Sequence, residues 1–334
     1  MATPATTTET YDNSVIREDL QEQYTLISPE EVPFQTAIGS DTATNTLHEW
    51  PIVNLAAVDP ANRVKEGEDT PDIDVGTLAL RLNNYTQISD KVIVVSQTSE
   101  AVDAAAENIQ RESKQISFKL REMKRDKENM LLQNIAADGG AGEGVTARIT
   151  AGLIAFLRTN TGAGAGGSDP TLSGTDEGFP DAPAGAGTAV PFTEDNLNDL
   201  IELAWLAGGN PNLVMVNSNN KRVISETFTG SSTRYKDAID KTLVNAIDVY
   251  DSDFGQFSIV PNRFQPTIAT GPDNYVVLII DPDLCTVSYL ETVRQKPLAE
   301  TGHAKSRLAW CEYALTVFNE AGMAVQRDTT GLAS

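Results

Sequence analysis

The chain has 334 residues, of which 40% are hydrophobic, and its formal net charge at pH 7 is −22. This length can bury a sizeable core in more than one folded region. The acidic balance disfavours ordinary nucleic-acid binding, because contacts to phosphates require lysine and arginine. No run of about 18 apolar residues predicts a membrane-spanning helix, and the first residues lack the basic and apolar segments of a secretion signal, so we expect synthesis in the cytoplasm.

Residues 1–43 predict an N-terminal arm. Residues 1–23 are polar and rich in threonine, a composition that becomes ordered only against a partner surface. Pro29 and Pro33 then separate short apolar groups, which favours an extended segment with a few docking side chains.

Residues 44–94 predict a long β-hairpin. Two strand-like runs, 44–58 and 77–96, flank a polar stretch with the chemistry of a turn. An isolated two-stranded ribbon is marginal in water, so the hairpin needs a neighbouring surface, for which another subunit is the obvious candidate. The tip is acidic and lacks the spacing of a calcium loop, so we expect it to be solvated or to meet basic residues of the next subunit. Its acids are Glu66, Glu68, Asp69, Asp72 and Asp74.

Residues 99–138 predict one long helix. The segment contains no glycine or proline, Ser99 is placed to cap its start, and Gly139 and Gly140 follow its end. Forty helical residues would span about 60 Å. A narrow apolar stripe recurs every seven residues, so one side of the helix is expected to face water. The basic residues between 111 and 127 are interpreted as a salt-bridged exposed face, with contact to DNA as the alternative.

Residues 146–282 predict a compact α/β domain. A region rich in glycine and alanine shows loop chemistry except for a short apolar element near 149–157. Thr193 then begins a helix, 213–216 is a buried strand, and Ser218 caps a second helix that ends near Thr227. Two strands around an Asp-Ser-Asp turn and a fully buried strand at 275–281 complete the domain.

Residues 283–334 alternate in the manner of strands. A sheet with one apolar face and an amphipathic helix bury each other's apolar surface. We therefore expect residues 95–145 and 283–334 to form one discontinuous domain.

The sequence predicts no catalytic, cofactor-binding or metal site. His48 and His303 stand alone, and no cluster of histidine and cysteine has a zinc spacing. Cys285 and Cys311 lie in apolar runs and are expected to be buried, reduced thiols. The run GAGAGG at 162–167 matches no phosphate-binding motif and is interpreted as a flexible loop.

The order of these elements resembles the Hong Kong 97 type of major capsid fold. That α+β fold has an N-arm, an E-loop hairpin, a long spine helix in a peripheral (P) domain, and an axial (A) domain. Several runs between residues 26 and 320 are similar to the SU10 major capsid protein family of tailed phages. They are ISPEEVPFQTAIG, LHEW, QISDKVIVVS, REMKRDKENMLL, DVYDSDFGQFSIVPNRF and KPLAETGHAKSRLAWCEYALTVFNE.

The resemblance implies a structural protein of the virion and not an enzyme. Its copies would form hexamers and pentamers in an icosahedral shell around double-stranded DNA, with N-arms and E-loops reaching across neighbours. Portal, scaffolding or decoration proteins would be further partners. The alternatives are an encapsulin-like compartment with the same fold, a fibrous tail protein built on the long helix, and an enzyme with its site in a closed pocket of the 146–282 domain. Lys65 lies near the hairpin tip, where one relative forms covalent cross-links, but its partner residue is not recognisable here.

Overall fold

The structure is a computed structural model. It describes residues 30–53, 55, 58–60, 63, 65–67, 78–102, 111–140, 146–228, 247–268, 274–300 and 302–330. The chain divides into two compact units. The first takes in residues 1–30, 91–122 and 295–309, and the second takes in residues 31–90, 123–294 and 310–334.

The described residues form six α-helices and fourteen strands. The helices are α1 (Pro33–Ala37), α2 (Gln97–Ala101), α3 (Arg111–Leu132), α4 (Leu153–Phe156), α5 (Glu194–Leu206) and α6 (Ser218–Thr227). The strands before α4 are β1 (Gly39–Thr42), β2 (Leu47–Ile52), β3 (Leu80–Tyr85) and β4 (Gln87–Ser96). The later strands are β5 (Thr161–Gly162), β6 (Thr171–Leu172), β7 (Pro180–Ala182), β8 (Leu213–Val216), β9 (Val249–Ser252), β10 (Gly255–Pro261), β11 (Tyr275–Ile280), β12 (Cys285–Pro297), β13 (Ala304–Val317) and β14 (Ala324–Thr329).

A mixed six-stranded sheet forms the centre of the second unit. Its strand order is β5-β14-β11-β8-β10-β9. Strand β8 lies parallel to β10 and antiparallel to β11, with Val214 opposite Ile259 and Ile279. The apolar stripes of α5 and α6 cover one face of this sheet, where Leu197 and Ile224 are fully buried. The helices and the sheet bury each other's apolar surfaces. The predicted α/β character of the region is therefore confirmed.

The remaining sheets are smaller. A four-stranded sheet has the order β1-β12-β13-β4, with β1 parallel to β12. Strands β2 and β3 pair antiparallel, with Trp50 opposite Leu82, as the hairpin prediction requires. Strands β6 and β7 form a short hairpin within the glycine-rich region.

The first unit, taken alone, is held by polar contacts between distant segments. The backbone N–H of Gln97 donates to the carbonyl oxygen of His303 at 3.2 Å. The Glu100 carboxylate accepts from the backbone N–H of Glu112 at 2.8 Å, and Arg307 forms an ion pair with Glu112. These contacts join α2, α3 and β13 within this unit.

The predicted continuous helix over 99–138 is wrong at both ends. Helix α2 begins at Gln97 and ends at Ala101, because Val102 has an extended backbone with φ −80° and ψ 124°. Residues 103–110 lie outside the described residues. Helix α3 ends at Leu132, six residues before the predicted end, and its 22 residues span about 33 Å.

Tertiary hydrogen bonds explain why α3 ends before the glycines. The side chain of Asn134 donates to the carbonyl oxygen of Ala184 at 2.7 Å and accepts from its backbone N–H at 2.9 Å. The carbonyl oxygen of Ile135 accepts from Gly152 at 3.3 Å, and Asp138 forms a bridge with Ile149. These partners replace the helical hydrogen bonds that local propensity would have favoured.

Two other local expectations are also corrected. The extended arm contains a short helix at Pro33–Ala37, with Pro33 in the first turn, where its fixed φ and missing N–H are tolerated. Helix α6 is capped by Asn217, whose side chain accepts from the N–H of Asn220 at 2.9 Å, and not by Ser218. By contrast, the Thr193 cap of α5 is confirmed.

The last strand joins the six-stranded sheet. Strand β14 pairs antiparallel with β11 and parallel with β5. All six of its residues are buried. Residues 324–329 therefore pair with strands of the 146–282 region, whereas β12 and β13 belong to the four-stranded sheet.

Candidate assembly surfaces and the contacts that fix them

Buried polar side chains of the second unit fix the base of the β2–β3 hairpin. The indole N–H of Trp50 donates to the carbonyl oxygen of Val317 at 2.9 Å. Asn84 is fully buried, donates to the carbonyl oxygen of Leu315 at 2.8 Å, and accepts from the N–H of Ala151 at 2.9 Å. A side-chain amide that both donates and accepts in this way defines the position of its strand.

A buried carboxylate forms an ion pair with a partly exposed arginine beside the same base. Glu312 is 8% exposed, and its Oε1 accepts from the Arg148 guanidinium at 2.6 Å and from the Thr86 hydroxyl at 2.5 Å. Arg148 also donates through Nε to the carbonyl oxygen of Thr86 at 3.2 Å. Because the ions are paired and further hydrogen-bonded, their desolvation is largely compensated.

Beyond this base the hairpin presents apolar side chains to water. Leu55 is 86% exposed, Val58 is 93% exposed and Leu78 is 80% exposed. We call these three residues the hairpin surface. Large exposed apolar patches mark sites of protein contact, so we treat the hairpin surface as a candidate assembly contact.

A second fixed point joins the arm segment to α3. The fully buried Glu128 carboxylate accepts from the backbone N–H groups of Phe34 at 2.8 Å and Gln35 at 3.0 Å. It also accepts from the Gln35 side chain at 3.0 Å and from Asn262 Nδ2 at 2.8 Å. The carboxylate thus satisfies the first-turn N–H groups of α1, where a negative charge is favourable.

Sequence reasoning missed Glu128, although a signal was present. It stands three and four residues before Leu131 and Leu132, on the buried side of α3. An acid within an apolar stripe is costly unless it is hydrogen-bonded, and therefore indicates a specific buried partner.

Two basic residues of α3 form ion pairs, as the interpretation of a salt-bridged face expects, and a third contacts a tyrosine. Lys119 pairs with Glu122 at 2.8 Å and Arg121 with Glu30 at 2.6 Å, both within the first unit. In the second unit, Lys127 donates to the Tyr289 hydroxyl and lies 4.8 Å from that ring's centroid.

Of the acids predicted at the hairpin tip, Glu66 falls in the described part of the chain and is exposed. Glu68, Asp69, Asp72 and Asp74 lie outside the described residues. Lys65 is exposed. The predicted contact of this tip with a neighbour stays a prediction.

The glycine-rich region is folded onto β14, which corrects the interpretation of GAGAGG as a flexible loop. Arg327 is fully buried, donates to the carbonyl oxygen of Ser168 at 2.8 Å and pairs with Asp169. A Cβ at Gly164 would overlap the Thr188 backbone, so this close approach requires glycine. The loop composition had hidden these contacts, because their partners lie about 160 residues later in the chain.

The two cysteines and two histidines, which the sequence offers as reactive side chains, do not cluster in the described residues. Burial raises the pKa of both Cys285 and Cys311, which keeps their thiols protonated and unreactive. Burial also lowers the pKa of His48, partly opposed by Asp41. His303 is exposed.

One described pocket has a volume of about 380 Å³ and is open to solvent. It is lined by Ala37, Asn212, Leu213, Val249, Gln256, Ser258 and Pro282, none of which titrates near neutral pH. Within the described ranges, no group of three or more histidine, cysteine or acidic residues could hold a metal ion. No helix in that part of the chain is long and apolar enough to cross a membrane.

Comparisons with known proteins agree with this geometry. The profile of the SU10 major capsid protein family matches residues 3–330. The major capsid protein of Escherichia phage Phieco32 is 26% identical over 290 residues, which cover 78% of this chain and 81% of the relative.

Solved structures share the fold at low sequence identity. A structure from Mycobacterium phage Adephagia superposes with a TM-score of 0.62 at 13% identity, covering 99% of this chain and 100% of the other. The holo-SrpI encapsulin complex from Synechococcus elongatus superposes with a TM-score of 0.55 at 10% identity, covering 93% of both chains. The chain has the Hong Kong 97-type fold and belongs to the SU10 major capsid protein family, so it is a bacteriophage capsid protein whose place is the virion shell.

Proposed function

We propose that the protein assembles with itself into hexamers and pentamers, and that these close into an icosahedral shell around double-stranded DNA. The hairpin surface is the observation that carries this proposal. Three apolar side chains that are at least 80% exposed lie on a hairpin whose base is anchored by Trp50 and Asn84. Burying Leu55, Val58 and Leu78 against a neighbouring subunit would stabilise the contact. The free energy gained is about 25 cal/mol for each Å² of apolar area removed from water.

The roles within the shell follow the predicted division of the chain. Residues 1–43 are the N-arm and 44–94 the E-loop, and both reach across to neighbouring subunits. Residues 95–145 and 283–334 form the peripheral domain, and 146–282 form the axial domain. Strand β14 departs from this division, because its residues pair into the sheet of the axial domain.

The proposed role is structural, without catalysis and without sequence-specific binding of DNA. The net charge of −22 suits a container, since an acidic wall would not hold DNA phosphates by attraction. A portal protein and possible scaffolding or decoration proteins complete the proposed set of partners.

An encapsulin-like compartment is the second candidate function. It is favoured by the likeness to the SrpI encapsulin. The phage family match along residues 3–330 favours the viral shell over this alternative.

Negative-stain electron microscopy and light scattering of the recombinant chain at several salt concentrations test the proposal. We expect closed shells or rings of capsomer size. Nuclease-protected DNA in particles purified from infected cells would support the viral shell, whereas protein cargo in its place would support the compartment. A monodisperse monomer that binds a small molecule would contradict both candidates.

A further inference from the structure

A pair of aromatic rings, one exposed and one partly buried, lies where α5 meets the turn between β9 and β10. Trp205 is 52% exposed, although its ring contacts that of Phe254 at a centroid distance of 5.4 Å. Leu206, the next residue, is 65% exposed. The second unit thus keeps a large, rigid apolar step in contact with water.

Carboxylates lie beside this step on the same helix and in the same turn. Helix α5 carries Glu194, Asp195, Asp199 and Glu202, and no lysine or arginine. Glu202 is exposed and stands one helical turn before Trp205, so both side chains lie on neighbouring parts of the helix surface. Asp253 is exposed and directly precedes Phe254. We call Glu202, Trp205, Leu206, Asp253 and Phe254 the acidic aromatic patch.

Its composition differs from that of an ordinary solvated face. Tryptophan is among the residues that contribute most to binding energy when a partner covers them, and it has few rotamers to lose. The face of an indole ring also attracts a cation, most strongly when carboxylates nearby attract the same cation. An aromatic step rimmed by acids therefore fits a segment that offers arginine or lysine beside an apolar residue.

The charge of the patch argues against a symmetric contact with a second copy. Pairing the patch with itself would bring Glu202 and Asp253 of both copies together, which costs free energy through like-charge repulsion. The lysine on the neighbouring helix, Lys221, is already bound to Asp248 at 2.9 Å. The chain carries 47 acidic and 25 basic residues, so a strongly basic segment is better supplied by a separate protein than by a second copy.

We propose that the acidic aromatic patch binds a basic segment of a separate protein, with an arginine or lysine placed over the Trp205 ring and an apolar side chain against Leu206. This partner is a different protein from the subunits of the shell. Its binding does not depend on the proposed assembly and can be measured on the unassembled chain. The carboxylates of Glu202 and Asp253 would accept hydrogen bonds from the same cation.

Tryptophan fluorescence and calorimetry with the full chain test this proposal. The probe is a short synthetic peptide of arginine and leucine. One control peptide carries glutamate in place of each arginine, and another carries serine in place of each leucine. We expect the probe to bind and to change the emission of Trp205, which is more exposed than Trp50 and Trp310.

Variants separate the patch from general attraction to an acidic chain. Trp205→Ala and the pair Glu202→Gln with Asp253→Asn should each weaken the peptide by about tenfold or more. The pair Glu177→Gln with Asp181→Asn removes the same charge from exposed positions elsewhere in the second unit and should leave affinity within about twofold. Trp205→Phe keeps an aromatic ring against Phe254 and should retain most of the binding.

Equal binding of the arginine–leucine and arginine–serine peptides would overturn the proposal, because charge alone would then suffice. So would an equal loss in the two charge-removing pairs. If Trp205→Ala left the peptide unaffected but reduced the assembly of shells, the patch would be a contact between copies and the proposed partner would be wrong. Circular dichroism verifies that each variant is folded.

Discussion

Strand β11 and the β2–β3 hairpin use the same residue types in opposite ways. Val277, Leu278 and Ile279 are fully buried in the six-stranded sheet, whereas Val58 and Leu78 at the far part of the hairpin are at least 80% exposed. Both regions are rich in β-branched and aliphatic residues, so composition does not distinguish them. What differs is whether the described part of the chain supplies a layer that covers them.

The comparison indicates two separate uses of apolar area. In the sheet, α5 and α6 complete the burial within one molecule, and this burial stabilises the fold. In the hairpin, the buried polar base fixes the direction of the element, and the apolar residues beyond it are exposed. Mutations should therefore divide into those that unfold the chain and those that prevent its assembly.

The largest expected effect is on assembly, from the pair Val58→Ser with Leu78→Ser. We expect the yield of closed shells to fall by about tenfold or more, because the apolar area offered to each neighbour is lost. The free energy of unfolding should change by less than about 0.5 kcal/mol, because both side chains are exposed in the single chain. Light scattering and urea denaturation measure the two quantities.

Its matched control is the pair Val58→Ile with Leu78→Met, which keeps the hairpin surface apolar and should assemble normally. If the serine pair formed shells as readily as the unmodified chain, the hairpin surface would not be an assembly contact.

Leu278→Ala should produce the largest loss of stability. The side chain is fully buried at the centre of β11, so its removal costs transfer free energy and leaves a cavity. We expect a loss of about 2–5 kcal/mol, measured by urea denaturation. Leu78→Ala deletes the same atoms at an exposed position. Equal losses for the two variants would show that the hairpin is as buried as the sheet.

Glu128→Gln should lower the free energy of unfolding by about 1–3 kcal/mol. Phe34, Gln35 and Asn262 all direct N–H groups at this carboxylate. The NH₂ group of a glutamine is itself a donor, so it would face N–H donors and could not accept their hydrogen bonds. Glu122→Gln on the same helix breaks a more exposed pair with Lys119 and should cost less than about 1 kcal/mol. Similar values for both variants would mean that Glu128 does not hold the arm segment.

The smallest effect is expected from the protonation of His48 at the hairpin base. Its pKa is lowered in the folded chain because burial disfavours the charged ring, so the unfolded chain binds the proton more tightly. Stability contributed by the neutral ring is then present above the ordinary pKa of 6.5 and is lost as the pH falls towards the lower, folded value. His48→Phe should flatten this slope, measured by urea denaturation between about pH 8 and about pH 5. A steeper slope in the variant would contradict the assignment.

Local sequence patterns were sufficient for several parts of this molecule. The Thr193 cap and the apolar period of α5, the buried strand at 275–280, and the pairing of the two hairpin strands are all confirmed. Each depends on periodicity or on groups within a few residues, which a single chain segment contains. The need for a partner along the hairpin stays a prediction, drawn from the marginal stability of a two-stranded ribbon in water.

Other features were decided by partners that lie far away in the sequence. Helix α3 ends at Leu132 because Asn134 is bound to Ala184, and the glycine-rich region is folded because Arg327 reaches Ser168. The role of Glu128 depends on Phe34, which lies 94 residues earlier.

Thus the sequence by itself determined which segments are regular, and it predicts that the hairpin needs a partner surface. Only the tertiary structure decided where elements end and which buried polar groups meet. The physical reason is that periodicity and capping are properties of neighbouring residues, whereas the satisfaction of a buried donor or acceptor depends on whichever distant atom the fold places beside it.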